Sequence, residues 1–224
     1  MKTNRIGAIS GCIVAGMLLS FWTVDAVAQR GRRGGNMLAP EKQEAAWTLQ
    51  AQTVAKILTL DTAKTGAVTD VYKTARKDHQ AALRKMAESG GQDRSARFEA
   101  FRKLGKEARG KLEASLKGVL DEKQAAQAFA SMGTFDRRWD QYVDVVAGLK
   151  LGDEKQDKAL RILNQQVIDS AKVMKEDLEN RDWESMRAKR GEMKKKLDAA
   201  LAKVLSEEEQ AKWSAATASQ RRRR

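Results

Sequence analysis

The chain contains a single proline, Pro40, and everything after it is free of this helix-breaking residue. Apolar side chains then recur at alternating steps of three and four residues, the spacing that places them on one face of a helix. Charged residues make up 33% of the sequence and are interleaved with Ala, Leu and Gln, which favour helix. We therefore predict an all-α protein, an elongated bundle of helical hairpins, with the proline in a first turn.

The pattern of apolar residues occurs twice along the chain. A shift of 92 residues carries Trp47 onto Trp139 and keeps the apolar positions in register as far as Met86. Past the first hairpin loop, a shift of 85 carries Phe98 onto Trp183 and keeps the rest of that helix in register. Because chain length varies most readily in loops, a longer loop in the first copy explains the change of shift. We therefore predict a duplicated helical unit.

The repeat lies between two terminal segments. The first unit covers residues 40–130 and the second covers residues 131–215, and we predict that a long helix from Asp121 to Ala147 links them. Residues 29–39 are rich in Gly and Arg and lack periodicity, which predicts a flexible basic arm. Residues 216–224 end in four arginines and form a basic tail.

Residues 1–28 have the pattern of a secretory signal peptide. A positively charged start precedes an apolar run from Ile6 to Val24, and Ala26-Val27-Ala28 offers the small residues that signal peptidase needs. We expect cleavage after Ala28 and a periplasmic or secreted protein without a stable transmembrane anchor. Two alternatives stay open. The apolar run approaches the ~20 residues that span a bilayer, and Ile9 to Cys12 resembles a lipobox.

Composition argues against several kinds of chemistry. Cys12 is the only cysteine and would leave with the signal peptide, so the mature chain has no thiol for a disulfide, metal site or nucleophile. His79 is the only histidine, lies on an inward helical stripe and lacks partners for a metal site or a catalytic triad. Acidic residues alternate with Lys and Arg, which indicates solvated faces. We therefore predict no enzyme activity, no cofactor and no metal.

The chain is strongly basic, with 43 Lys and Arg against 30 Asp and Glu and a formal net charge of +13. Such a charge attracts acidic proteins, lipid head groups or nucleic acid. Export makes genomic DNA an unsuitable partner, so we expect no nucleic acid.

Four short motifs have the chemistry of helix starts. An Asp or Ser side chain accepts a backbone hydrogen bond, a Gln or Glu reaches back, and a preceding Leu packs on the first turn. These residues are Leu60, Asp61, Leu120, Asp121, Gln124, Leu151, Asp153, Gln156, Leu205, Ser206, Glu209 and Gln210.

The same motifs resemble the Leu-Thr-x-x-Gln motif of the Spy/CpxP family of periplasmic proteins. Leu120 to Gln124 and Leu205 to Gln210 carry the likeness, and Phe129 and Trp213 correspond to the aromatic residue that trails the family motif. None of the four copies has Thr and Gln both in register, and Lys64 stands where the first copy would have Gln. The resemblance implies a helical, ATP-independent chaperone or an envelope-stress adaptor. It also implies a membrane stress sensor and a homodimer as partners.

Methionines and aromatic residues on the inferred inner faces predict a client-binding surface. Thioethers adapt to varied apolar partners, and a cationic rim would attract acidic ones. The residues are Met86, Phe98, Phe101, Met174, Trp183, Met186 and Met193, with Arg102, Lys103, Arg187, Lys189 and Arg190 at the rim. The first hypothesis is a periplasmic chaperone-like or stress-adaptor protein that binds unfolded or acidic envelope proteins.

Two other interpretations stay open. The Met and aromatic stripe is ordinary core in the first of them, because thin helical bundles often bury the whole stripe. In the second, the protein is an envelope structural protein whose basic arms bind polyanions or a membrane surface.

Overall fold

The computed structural model describes residues 38–88, 94–180 and 183–222. The predicted signal peptide, residues 29–37 of the predicted arm, the turn at Gly90-Gly91 and the last two arginines lie outside the described residues. All described residues belong to one compact unit, Gly35–Arg224. They form helices joined by short connections, and none of them lies in a β-strand, which confirms the all-α prediction.

Eight helices follow one another in the described part of the chain. Pro40 begins the first, at a position where its missing N–H has no helical partner to lose. The helices are α1 (Pro40–Ile57), α2 (Thr62–Glu88), α3 (Arg94–Val119), α4 (Glu122–Met132), α5 (Arg137–Gly148), α6 (Asp153–Asn180), α7 (Trp183–Leu201) and α8 (Glu207–Arg222).

The helices pack mainly on their neighbours in the chain. Helices α1, α2, α3 and α4 pack one on the next, as do α5, α6 and α7, and α8 packs on α5. Helix α1 also contacts α4, α5 and α6. Because four other helices surround it, α1 has buried residues on most of its circumference, including the polar Gln43, Gln50 and Thr53.

Two clusters of buried side chains form the core. The first draws mainly on α1 to α4, and its large members are Trp47, Tyr72, Leu112, Leu116 and Met132. The second draws mainly on α5 to α8, and its large members are Trp139, Leu163, Leu197, Leu201 and Trp213. Ala46, the neighbour of Trp47, belongs to the second cluster, so α1 contributes to both. The limits of the two predicted units stay a prediction, because packing continues across them through α1.

The first helix of each copy ends in the same way. Leu58 and Leu149 follow α1 and α5 in the right-handed helical region. Thr59 and Lys150 come next, with φ of 55° and 53°, in the left-handed region that ends a helix. Both pairs are 91 residues apart, one fewer than the predicted shift of 92.

The predicted shift of 92 fits the two core tryptophans and the buried pair Val68 and Leu160, but the turn itself fits a shift of 91. In α2 and α6 the buried side chains coincide at a shift of 91, which pairs Tyr72 with Leu163 and Arg76 with Val167. Adjacent positions on a half-buried stripe are both apolar, so periodicity alone does not resolve a slip of one residue. The shift of 85 fits the later helices, where Leu112 and Leu197 are both buried.

The predicted long helix from Asp121 to Ala147 is wrong, because α4 ends at Met132 and α5 begins at Arg137. The Gly133 N–H still donates to the Phe129 carbonyl at 2.9 Å. Phe135 then has a φ of 47°, which a continuing helix does not allow. The Asp136 carboxylate accepts a hydrogen bond from the Arg138 N–H at 2.9 Å and so caps a new helix.

Three predicted helix starts have the expected N-cap hydrogen bond, but the predicted return bond from Gln124 is wrong, because its side-chain oxygen has no hydrogen-bond partner among the described residues. Asp61 and Asp121 each accept a hydrogen bond at 2.8 Å, from the N–H of Lys64 and of Gln124 respectively. Around α8 the bonds are reciprocal: the Ser206 N–H donates to the Glu209 carboxylate at 2.7 Å, and the Glu209 N–H donates to Ser206 Oγ at 3.4 Å. Such a pair satisfies donors that the first turn of a helix leaves unpaired.

The fourth start differs from the prediction. Asp153 is already the first residue of α6, and Gly152 precedes it as the cap, with its carbonyl accepting from the Gln156 N–H at 2.9 Å. Leu151, like Leu120 and Leu205, is buried beneath its turn, whereas Leu60 is half-buried. The Gln210 side chain donates to the Leu205 carbonyl at 2.9 Å and ties α8 to the turn before it.

Candidate functional site

The predicted client-binding residues do not form one surface. Phe98 and Phe101 are 38% and 40% exposed on α3, and Met86 is half-buried on α2. Met186 and Met193 are 4% and 8% exposed, so both lie mainly in the core and not on an exposed face, although Met193 also lines a groove described below. They face inward because α7 packs on α6, where the Gln166 side chain donates to the Met193 carbonyl at 3.0 Å.

The predicted cationic rim lies at the surface. Arg102, Lys103, Arg187 and Arg190 are exposed, and Lys189 is half-buried. Arg102 forms an ion pair with Glu99 at 3.3 Å, one turn back on the same helix. The side chains of Met174 and Trp183 lie outside the described part of the structure.

An open groove lies between α6 and α7, with a volume of about 690 Å³. Its floor is apolar and is formed by Ile162, Val173, Ala188, Met193, Leu197 and Ala200. Val173, which lines this groove, is 42% exposed. We call this opening the α6–α7 groove.

The described residues at the rim of the α6–α7 groove carry charge of both signs. They are three lysines, Lys172, Lys189 and Lys196, and two acids, Asp169 and Glu192. A hydrogen bond from Lys195 at 2.8 Å, with the charge of that lysine, lowers the pKa of Glu192, so this acid is ionised near neutral pH. Among the described residues, the rim therefore has one more cation than anion around an apolar floor.

A smaller groove lies on the neighbouring side of α6. It has a volume of about 410 Å³ and is lined by residues of α1, α4 and α6, including the exposed Ile57 and the half-buried Ile168. Gln165 lines both grooves, so the two openings adjoin along α6.

A buried polar network joins α1, α2 and α5, and sequence reasoning missed it. The Arg76 guanidinium forms an ion pair with the Asp140 carboxylate, and both residues are more than nine-tenths buried. Arg76 also donates to the Tyr72 oxygen at 3.0 Å, and the Tyr72 hydroxyl donates to Gln50 Oε1 at 2.7 Å. Gln50 Nε2 closes the ring by donating to Asp140 at 2.9 Å.

Aromatic rings enclose the guanidinium of this network. Its carbon lies 5.0 Å from the centre of the Trp47 ring, 5.7 Å from that of Tyr72 and 5.6 Å from that of Phe135. A cation over aromatic faces is stabilised by their negative charge distribution, most strongly where water is excluded. Arg76 is therefore held by hydrogen bonds in the plane of its guanidinium and by rings around it.

Burial and pairing compete in setting the protonation of the network. Burial opposes the Arg76 charge, but Tyr72 and Asp140 outweigh burial and raise the pKa of Arg76. Burial raises the pKa of Asp140, while Arg76 and the donors Gln50 and Trp47 lower it. Burial also raises the pKa of Tyr72. Since arginine keeps its proton and lies directly against the carboxylate, we take the pair as charged.

His79 lies at the edge of the first core. It is half-buried, and its ring centre is 5.0 Å from that of Phe135. Burial, followed by the charges of Arg76, Arg137 and Arg109, lowers its pKa. The described residues bring together no group of three or more His, Cys, Asp or Glu side chains that could hold a metal ion.

In the described part of the chain, every helix is too short or too polar to cross a membrane. Comparison of the chain with protein-family models, with curated proteins and with solved structures finds no match. The resemblance to the Spy/CpxP family rests on the helix-start motifs alone and stays a prediction.

Proposed function

We propose that the protein binds segments of unfolded or partly folded proteins, acidic ones above all, in the α6–α7 groove. The observation that carries the proposal is the apolar floor left open between two helices, with Val173 42% exposed in it. Amphipathic segments bind such grooves by placing apolar side chains on the floor and polar ones at the rim. The lysine excess at the rim favours partners with acidic residues beside their apolar ones.

Two further features support a chaperone-like or adaptor role in the cell envelope. The exposed Phe98 and Phe101 add apolar surface on α3, with the Arg97 guanidinium 5.9 Å from the Phe101 ring. The net charge of +13 attracts acidic proteins from a distance. The signal-peptide pattern of residues 1–28 supports a location outside the cytoplasm for this activity.

The test is suppression of aggregation by residues 29–224. Light scattering of reduced α-lactalbumin, an acidic protein, is followed with increasing amounts of the helical protein at low and at high salt. We expect suppression near equimolar ratios that persists at high salt, because contact with an apolar floor is not screened by ions.

A matched pair of variants ties the activity to the groove. V173D places a charge on the floor and is expected to abolish suppression, whereas A171D adds the same charge to the same helix at an exposed residue outside the groove. Equal loss in both variants would count against the groove.

Salt separates this proposal from polyanion binding by the basic arms. Suppression confined to low salt, and lost on removal of residues 29–36 and 221–224, would indicate a charge-only contact of those arms. No suppression at either salt concentration by the folded protein would exclude the chaperone-like role.

A further inference from the structure

The outer half of the α2–α3 hairpin has no buried side chain among the described residues. The last buried residue of α2 is Arg76, and the first of α3 is Leu112. Helix α2 continues for twelve residues beyond Arg76, about 18 Å at the rise of an α-helix. Helix α1 reaches as far as Gln80, whose side chain donates to Gln43 near the start of α1 at 3.0 Å. We call residues 77–88 and 94–111 the outer hairpin.

Two phenylalanines lie at the surface of the outer hairpin. Phe98 and Phe101 are 38% and 40% exposed and lie one turn apart on α3. Among the described residues, the other large apolar side chains exposed to this extent are Ile57 and Val173, on α1 and α6. Neither phenylalanine lines the α6–α7 groove or the smaller groove beside it. Adjacent exposed apolar side chains with a polar rim are typical of interaction surfaces.

The outer hairpin is strongly basic. The sequence from residue 77 to residue 111, which includes the turn, holds ten Lys and Arg against five Asp and Glu. Even if every acid pairs with a cation, five cations remain, so the excess does not depend on any single residue. The excess favours an anionic partner.

Two arginines flank the phenylalanine pair. Arg97 lies four residues before Phe101 and Arg102 four residues after Phe98, so they stand on opposite sides of the pair. The Arg97 guanidinium is 5.9 Å from the centre of the Phe101 ring. Arg102 pairs with Glu99 at 3.3 Å, and because both side chains are more than half exposed, this pair is weak and remains accessible to other anions.

An anionic lipid bilayer matches this arrangement. Its head groups form a plane of negative charge, so they can contact arginines on both sides of the pair at the same time. Phenylalanine side chains enter the boundary between head groups and acyl chains, while arginine keeps its charged end among the head groups. An extended acidic peptide, in contrast, would contact the arginines of one side only.

We propose that the outer hairpin docks reversibly on an anionic lipid bilayer, with Phe98 and Phe101 inserted at the head-group boundary and Arg97 and Arg102 contacting lipid phosphates. This docking differs from the basic-arm interpretation, in which the two termini contact the membrane by charge alone. The inference stands on the outer hairpin and does not rest on binding in the α6–α7 groove.

Sedimentation with vesicles measures the docking. Residues 29–224, which contain the whole compact unit, are mixed with vesicles of one part phosphatidylglycerol to three parts phosphatidylcholine, or of phosphatidylcholine alone. We expect binding to the anionic vesicles only. A chain that lacks residues 29–36 and 221–224 should still bind them. Complete loss of binding in this shorter chain would place the contact in the basic arms and overturn the proposal.

A matched pair of variants tests the phenylalanines. F98S/F101S removes both rings from an exposed position and is expected to weaken binding to the anionic vesicles by about tenfold or more. I57S removes an apolar side chain that is also 38% exposed, on α1, and is expected to leave binding unchanged. Equal weakening in the two variants would overturn the proposal.

A second pair tests the arginines. R97Q/R102Q is expected to weaken binding by about tenfold or more, because each cation at the surface interacts with anionic lipid. K123Q/K203Q removes the same amount of charge at exposed residues outside the outer hairpin and is expected to have a much smaller effect. Similar losses would mean that only the net charge matters, contrary to the proposal.

A single fluorophore locates the inserted residue. Cys12 is the only natural cysteine and lies outside residues 29–224, so F101C supplies one thiol for a nitrobenzoxadiazole label. On anionic vesicles we expect its emission to move to shorter wavelength and to be quenched by nitroxides on the acyl chains, whereas the label on I57C keeps its emission. Unchanged emission from F101C on vesicles that bind the chain would exclude the outer hairpin as the docking element.

An acidic polypeptide is the competing partner. Poly-glutamate is therefore tested in parallel with the vesicles, with the natural chain and with F98S/F101S. Binding of poly-glutamate that is lost in the variant, without binding to anionic vesicles, would assign the outer hairpin to acidic proteins and overturn the proposal.

Discussion

Arg76 and Asp140 stand 64 residues apart on different helices, and each is nearly inaccessible to water. Taking two such charges out of water is costly, and their attraction compensates for it only when further hydrogen bonds satisfy both groups. Tyr72 and Gln50 supply these bonds and bond to each other as well, so the ring is closed. We therefore expect the network to fix how α1, α2 and α5 pack on one another more than it adds net stability.

Removal of one charge from this network is expected to be far more destructive than removal of an exposed one. D140N leaves the Arg76 charge buried without a counter-ion and should lower the free energy of unfolding by about 3–5 kcal/mol. D144N, one turn along α5, breaks only the exposed pair with Lys42 at 3.5 Å and should cost less than about 1 kcal/mol. Urea unfolding followed by circular dichroism measures both, and similar losses would contradict the assignment of a buried charged pair.

His79 gives stability a dependence on pH with a definite sign. Burial, and then three arginine charges, hold its folded pKa below the ordinary value of 6.5. In the window between the two pKa values the unfolded chain binds a proton that the folded chain does not, so stability falls as pH falls through about 6.5. Urea midpoints at about pH 7.5 and about pH 5.5 should therefore differ more for the natural chain than for H79Q. The same difference in both proteins would exclude His79 as its source.

Sequence reasoning placed Trp47 and Trp139 in the interior but could not find the polar residues beside them. A charged residue is normally solvated, so the sequence alone does not predict that Arg76 is buried, although it follows Val68 and Tyr72 at steps of four. That spacing was the available signal. The counter-ion lies in the other copy of the repeat, and no local pattern identifies a partner at such a distance.

At the scale of helices, Gly133, directly after α4, leaves no room for a side chain. An added Cβ there would lie 2.7 Å from the Phe129 carbonyl oxygen and 2.7 Å from its ring, closer than real contacts allow. G133A should therefore lower the free energy of unfolding by about 1–3 kcal/mol. At Gly148, the last residue of α5, nothing lies within 4 Å of an added Cβ, and G148A should stabilise by roughly 0.5–1 kcal/mol. Thermal unfolding checks both signs, and a neutral G133A would show that Phe129 moves aside.

The sequence predicted where helices start better than where one helix becomes two. An Asp or Ser at the start of a helix accepts a hydrogen bond from a backbone N–H only three residues away, so a short motif is enough to predict it. Asp61, Asp121 and Ser206 all accept this bond. The break after Met132 arises from Phe135 in a left-handed conformation, and phenylalanine carries no preference for that conformation. Packing of Phe135 against the first core, and of Trp139 in the second, compensates for the turn. Such compensation depends on the assembled fold and leaves no local pattern.

At the scale of the whole molecule, α1 prevents the two cores from acting separately. It carries Trp47 in the first core and Ala46 in the second, and it contacts α5 and α6 as well as α2. Asp140 of α5 in turn completes the polar network of the first core. Loss of either core therefore exposes a face of α1 and breaks the hydrogen-bonded network around Arg76. The two cores should therefore unfold together.

Matched substitutions in the two cores test this coupling. Leu112 and Leu197 are counterparts in the repeat, 0% and 1% exposed, and L112A or L197A should each cost about 2–5 kcal/mol through the cavity left behind. If the cores are coupled, each variant gives one urea transition, with the same lowered midpoint by tryptophan fluorescence and by circular dichroism. Two separate urea transitions in either variant, with only one midpoint lowered, would mean that the two cores belong to independent domains. The buried network would then be a local feature of the first core, and α1 would not transmit stability between the two cores.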